Sequence, residues 1–99
     1  MFGDMMGKLQ EMKQQVETAK KRLDDKIIEG EAADGAIKVS VTGNRKVKNI
    51  SIAPSLLEDA EELEDMLVIA LNRALTLADG VNEQEMAGAA GGLMGGMGL

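Results

Sequence analysis

Residues 54–79, PSLLEDAEELEDMLVIALNRALTLAD, decide how the rest of the chain is read. Apolar side chains recur at Leu63, Met66, Leu67, Ala70, Leu71, Ala74, Leu75 and Ala78 in alternating steps of three and one, the spacing of one wide face on an α-helix. At about 100° per residue, Val68 and Leu77 widen the apolar arc to about 200°. One small sheet covers less than that, so the surplus predicts a second contact surface, supplied by another copy of the chain. Leu63, Met66, Leu67, Ala70, Leu71 and Ala74 are accordingly expected to serve the core and the dimer contact. Ser55 followed by Glu58 fits a capping box, with Asp59 and Glu62 as an alternative cap one turn later. The acids from Glu58 to Asp65 sit where the positive end of a helix favours them. They match no calcium-loop spacing and no histidine accompanies them, so they read as a helix start rather than a metal site.

The composition bounds the rest. Ninety-nine residues make one small domain with a thin core, for which dimerisation is a natural remedy. The absence of Cys and His removes disulfides, thiol nucleophiles, imidazole bases and most zinc geometries. No nucleophile elbow or walled pair of carboxylates can be read either. An enzyme, a cofactor, a metal and a small-molecule substrate are therefore not expected. Phe2 is the single aromatic residue, which excludes an aromatic base-stacking platform. No apolar run exceeds the six residues from Met66 to Leu71 and no signal core follows the N-terminus, so the expectation is a soluble, cytoplasmic chain without membrane contact. The net charge of −6 is uneven, +2 over residues 1–50 and −8 over residues 51–99. Affinity for phosphate must then come from a local patch and fade with salt.

A first helix is expected from about Asp4 to about Asp25. Phe2, Met5, Leu9, Met12, Val16, Ala19 and Leu23 step by three and four, the narrow seam of a coiled-coil-like helix. With Leu9 at heptad position a, Lys8 and Arg22 fall at g, Lys13 and Lys20 at e and Lys21 at f, while the acids fall at b or c. Cations flank the seam, and two such helices in parallel would set Lys against Lys. The flanks either meet the acidic start of the second helix, face an outside polyanion, or lie over the seam as snorkelling side chains.

Strands follow at Ile27 to Ala32, interrupted by Gly30, and at Ile37 to Thr42, with a tight turn at Asp34-Gly35 between them. In the second, Ile37, Val39 and Val41 alternate with Lys38, Ser40 and Thr42, giving a core face and a wet face. Gly43-Asn44 marks the next turn. Ile50 and Ile52 then share the buried face of a third strand, with Val47 out of phase unless a bulge near Lys48 or a late start intervenes. Pro54 ends that strand. Arg45, Lys46 and Lys48 cluster at the hairpin tip, either as a solvated turn or as a basic patch. Beyond Asp79 the pattern loosens at Gly80-Val81-Asn82, although Glu83 to Met86 can prolong the helix. The stretch AGAAGGLMGGMGL from Ala87 onward reads as a mobile tail whose Leu93, Met94, Met97 and Leu99 could contact a partner. At about 1.5 Å per residue the first helix is about 33 Å long, whereas six-residue strands span about 20 Å. The helices must overhang the sheet as arms, or be covered by another copy.

This order of parts, α-β-β-β-α with a Gly/Met tail, resembles the YbaB/EbfC family of bacterial nucleoid-associated proteins. The residues that carry the resemblance are Met1-Phe2-Gly3, Gly35 before Ile37-Lys38-Val39, Val41-Thr42-Gly43, Val47 through Ile50 and Ile52. They continue with Pro54-Ser55-Leu56-Leu57-Glu58-Asp59, Leu63-Glu64-Asp65, Ala70, Asn72 and the tail. Ala53 stands where the family usually has Asp. The resemblance implies an α+β domain over residues 1–86 with a flexible tail over 87–99, forming a tweezer-like homodimer. It further implies that helical arms engage double-stranded DNA with low sequence preference, associated with the nucleoid and affecting chromosome organisation and gene expression. Carried onto this sequence, the nucleic-acid-binding positions are Lys8, Lys13, Lys20, Lys21 and Arg22 on the arm. The hairpin residues Arg45, Lys46 and Lys48, and Arg73 on the second helix, are added to them. Phosphate contacts of this kind position a duplex without reading it. The competing reading is a protein-interaction module that uses the seam and the tail without DNA.

Overall fold

A helix with an all-small stripe can lie close to a sheet, and here it does. In the computed structural model, which describes the backbone of residues 2–95 and the side chains of residues 5–89, the chain runs α1 (Phe2–Asp25), β1 (Ile27–Ala32), β2 (Ile37–Thr42) and β3 (Val47–Ile52). A 3-10 turn (Pro54–Glu58) then leads into α2 (Ala60–Gly95). The strands form an antiparallel meander in the order β1-β2-β3. Both helices outreach the sheet, giving an elongated molecule of 67 × 21 × 17 Å.

The core face of the sheet carries Ile28, Gly30 and Ala32 from β1 opposite Val41, Val39 and Ile37 of β2. Ile37, Val39 and Val41 are fully buried. Ala70, Ala74 and Ala78 of α2, one turn apart and each 0% exposed, lie directly over β1. Leu63, Met66, Leu67, Leu71 and Leu75 are half-buried around them. Gly30, which weakens β1 by sequence, has its reason in this contact. A Cβ at Gly30 would collide with the backbone N of Ala74 and lie 2.5 Å from Ala70 O.

The third strand pairs Ile52 with Ile37, Ile50 with Val39 and Asn49 with Ser40, then jumps to Val47 with Val41. Lys48 is thus the extra residue of a β-bulge, and the bulge brings Val47 onto the same face as Ile50 and Ile52. The expected burial of Ile50 is not found. It is 42% exposed, because α2 lies over β1 and β2 and does not reach β3. Thr42, expected on the wet face, is buried because its Oγ1 accepts from the N–H groups of Asn44 (3.2 Å) and Lys46 (3.3 Å). The β1–β2 connection uses four residues, Ala33 to Ala36, with Ala33, Asp34 and Gly35 at positive φ, rather than a two-residue turn.

The Ser55/Glu58 capping box does not form. Pro54 to Glu58 wind as a 3-10 turn that buries Leu56, preceded by Ala53 with no side-chain cap. The cap is Asp59, whose Oδ1 accepts from Glu62 N at 3.2 Å, as in the alternative one turn later. At the other end α2 does not loosen at Gly80 but continues through Ala87 to Gly95. Beyond Gly80 it has tertiary support, since Asn82 Nδ2 donates to Gly43 O (3.3 Å) and Glu85 meets the end of α1. The side chains of Leu93 and Met94, and all of Met97 and Leu99, lie outside the described residues.

Two glycines in the same fold give opposite predictions. Gly30→Ala forces backbone apart and should destabilise by roughly 1–3 kcal/mol, lowering the thermal midpoint by at least about 5 °C. Gly80 lies in mid-helix with nothing within 4 Å of an added Cβ, so Gly80→Ala should stabilise by about 0.5–1 kcal/mol. Thermal unfolding followed by circular dichroism checks both.

Candidate nucleic-acid interface

Only the final turns of α1 are anchored. Leu23 (0% exposed) and Ala19 (2%) are buried, and Leu23 O accepts from the N–H groups of Lys26 (3.2 Å) and Gly43 (2.9 Å). Asn44 fastens the same turn from the hairpin, its Nδ2 donating to Lys20 O at 2.9 Å and to Asp24 Oδ1 at 2.6 Å. Towards its N-terminus α1 leaves the sheet and its seam opens to water. Met5 and Leu9 are 65% and 62% exposed, with Met6, Met12 and Val16 also exposed.

The g flank of α1 faces α2. Gln15, Thr18, Ala19 and Arg22 line a cleft of about 490 Å³ against Gln84, Glu85, Gly88 and Ala89, so the helices run antiparallel and form one two-helix arm. At its base Glu85 accepts from Lys26 Nζ at 3.0 Å and from Arg22 Nη1 at 3.4 Å. The bond from Lys26, reinforced by the charges of both cations, holds the Glu85 carboxyl below its ordinary value. Lys26 was not among the candidate residues. As the linker residue after the first helix it carries no periodicity that would have placed it.

The cations on the other side of α1 are disposed differently. Lys13, Lys20 and Lys21 are exposed and make no ion pair among the described residues, and Lys8 is exposed near the tip. The expected alternative, in which these flanks meet the acidic start of α2, is excluded by the fold, since that start lies at the opposite end of the molecule. The remaining candidates do not join this row. Arg45, at φ 66°, is paired with Asp79 at 2.8 Å. Arg73 donates to Glu31 O of β1 at 2.9 Å, on the base rather than the arm. Lys46 and Lys48 are exposed on the hairpin and border a groove with Asp24 and Asp25, whose carboxylates oppose an anion there.

Among the described residues no three acidic or metal-ligating side chains converge on a cation site, and no helix is long and apolar enough to cross a membrane. What stands out is an α+β protein whose overhanging helix pair carries a row of unpaired lysines beside an apolar stripe. Residues 1–93 match the model of the YbaB/EbfC DNA-binding family, and the chain belongs to that family. It is 56% identical over 82 residues to a nucleoid-associated protein of Flavobacterium johnsoniae, covering 83% of this chain and 77% of that one. It is 37% identical over 93 residues to a nucleoid-associated protein of Chlorobaculum parvum, covering 94% and 84%. The fold is similar to the crystal structure of an uncharacterized protein from Helicobacter pylori, with a TM-score of 0.81 at 28% identity, over 88% of this chain and 92% of that one.

The arm clasp has a pH signature. Because the folded-state pKa of Glu85 is lowered, its contribution is fully present above the unfolded value. It starts to fall as the pH comes down to about 4.5 and is gone below the lower folded-state value. Glu85→Gln should remove that part of the acid dependence while leaving stability changes above pH 6 nearly flat. Urea unfolding of both proteins across the acid range measures it.

Proposed function

We propose that this protein is a cytoplasmic, nucleoid-associated homodimer that binds double-stranded DNA with low sequence preference through the basic edges of its arms, contributing to chromosome organisation. The observation that carries this reading is the row Lys13, Lys20 and Lys21, held on a rigid helix and left without carboxylate partners among the described residues, in a chain of a DNA-binding family. The names of its bacterial relatives supply the nucleoid. Lysine ammonium groups are compact point charges suited to phosphate. Among the described residues the exposed part of the arm carries Gln10 and Gln14 but no set of Arg, Asn and Gln side chains together for base-edge readout, so its lysine contacts position rather than read.

Support for the dimer comes from apolar surface that one chain leaves uncovered. On β3 Ile50 stays exposed, and on α2 so do Ile69 and Leu77 (54%). Removing such a surface from water is worth roughly 25 cal/mol per Å². Sedimentation at ~1 M salt, where charges act over only about 3 Å, should give twice the 10.5 kDa chain mass.

The decisive experiment is a duplex titration by fluorescence anisotropy at several salt concentrations. Each phosphate contact contributes about −0.9 to the slope of log K against log salt. The parent protein should weaken steeply with salt and bind duplexes of unrelated sequence within a few fold of one another. The variant Lys13→Glu, Lys20→Glu, Lys21→Glu should lose at least about tenfold in affinity and flatten the slope by two or more. Unchanged binding by that variant would overturn the reading and favour a protein partner on the apolar seam.

A further inference from the structure

The arm and the start of α2 are complementary surfaces that one chain cannot bring together. On the arm, the exposed stripe Met5, Leu9, Met12 and Val16 is edged by Lys13 and Lys20, with Lys21 beside them. On that side Glu17 lies within one turn of Lys13 and Lys21, and Asp24, whose Oδ1 accepts from Asn44, within one turn of Lys20 and Lys21. At the base, the first two turns of α2 expose Glu61, Glu64, Asp65 and Val68 on one helical side, with Leu57 exposed just before them. These acids have no cationic partner among the described residues. The pairing of Arg22 with Glu85 sets the register of α1 on α2. From there the rise of 1.5 Å per residue puts Lys13 about 45–50 Å from Glu61 and Asp65. No side chain spans that gap.

We infer that the acidic start of α2 of a second copy docks on the lysine-edged methionine stripe of α1, joining molecules head to tail. The acids at i, i+3 and i+4 lie on one side of their helix and so meet lysines on one edge of the stripe. Val68 and Leu57 supply apolar contact to flexible methionines that adapt to it. The contact is heterologous, the donor patch on one copy and the acceptor patch on the next, so each addition leaves unused patches through which assembly proceeds beyond the dimer. An acidic helix on Lys13, Lys20 and Lys21 also occupies the edge assigned to DNA phosphates. Assembly without DNA and duplex binding therefore compete. The inference rests on the arm being an anion-binding surface, as proposed above.

Two charge-reversed proteins test it. One carries Glu61→Lys, Glu64→Lys and Asp65→Lys at the base, the other Lys13→Glu, Lys20→Glu and Lys21→Glu on the arm. Sedimentation velocity is run at ~0.01 M salt, where charges act over about 30 Å, and at ~1 M, where they act over about 3 Å. The parent should form species larger than the dimer at low salt, growing with concentration and dissolving at high salt. Each variant alone should stay dimeric, with association beyond the dimer weakened at least about tenfold, and an equimolar mixture should recover the large species, because the reversed base of one fits the reversed arm of the other. Recovery in the mixture also shows that both variants fold. The milder pair Glu61→Gln and Glu64→Gln should give an intermediate loss.

Duplex titration of the same proteins separates this inference from the DNA reading. The base variant should bind duplex at least as well as the parent. A parent that never exceeds the dimer, variants that assemble like the parent, or a mixture that fails to recover would each overturn the head-to-tail contact. Lost duplex binding in an arm variant that still assembles would overturn it while leaving the DNA reading intact. Lost assembly with unaltered duplex binding would uphold it and remove the DNA reading.

Discussion

The close approach of α2 to β1 is the constraint on which everything else hangs. With Gly30 beneath them, Ala70 and Ala74 bring their helix down until backbone meets backbone, and Ala78 continues the buried stripe. Close packing of this kind excludes sideways adjustment, because interiors resist both voids and overlap. The helix is thereby fixed over β1 and β2 and cannot shift to cover β3. Its position leaves Ile50 and Leu57 uncovered at one side and sends the later turns past the sheet at the far end.

Those later turns have no sheet beneath them, and α1 supplies what they lack. Leu23 and Ala19 close the junction, Asn44 bridges from the hairpin to α1, Asn82 reaches from α2 to Gly43 O of the hairpin, and Glu85 gathers Lys26 and Arg22. The contacts that α1 itself makes here sit within its last turns, from Ala19 to Asp24. Among the described residues the earlier turns are held by helix continuity and by their antiparallel neighbour, so the seam there stays wet and Lys13, Lys20 and Lys21 pair with no acid. Exposed ion pairs contribute at most about 1 kcal/mol. Leaving those lysines unpaired therefore costs the fold little, while it keeps their charge available to an outside anion.

How much of this could be read from the sequence follows the length scale of the interactions. Strand limits and the first helix follow from period-2 and period-3.6 patterns, which are local. The bulge at Lys48 was also legible, because Val47 broke phase with Ile50 and Ile52 in a way that one extra residue repairs. The capping box at Ser55 failed for a local reason of a different kind, since burial of Leu56 tightens Pro54–Glu58 into a 3-10 turn and hands the cap to Asp59. Gly80 and the Gly/Ala run after it have poor helix propensity, and tertiary contacts at Asn82 and Glu85 override it. The candidate cations divided along the same line. Periodicity placed Lys13 and Lys20 on the seam's edge and Lys21 at the outer position f, but only the fold reveals that Arg45, Arg22 and Arg73 are engaged by Asp79, Glu85 and the β1 backbone.

A net charge of −6 argues against a polyanion partner only if the protein is treated as a point. In a molecule 67 Å long six of the nine acids of residues 51–99 lie between Glu58 and Asp65, and the outer lysines of α1 lie about 30–50 Å away along the helix pair. At physiological ionic strength the screening length is about 8 Å, so the acidic base has negligible influence on the potential felt beside Lys13 and Lys20. What an approaching anion meets is the local arrangement, Lys13, Lys20 and Lys21 with Glu17 and Asp24 as the nearby acids. The same separation keeps the two charged regions from neutralising each other within one chain. The edge at Lys13 and Lys20 thus presents positive charge locally although the protein as a whole is an anion.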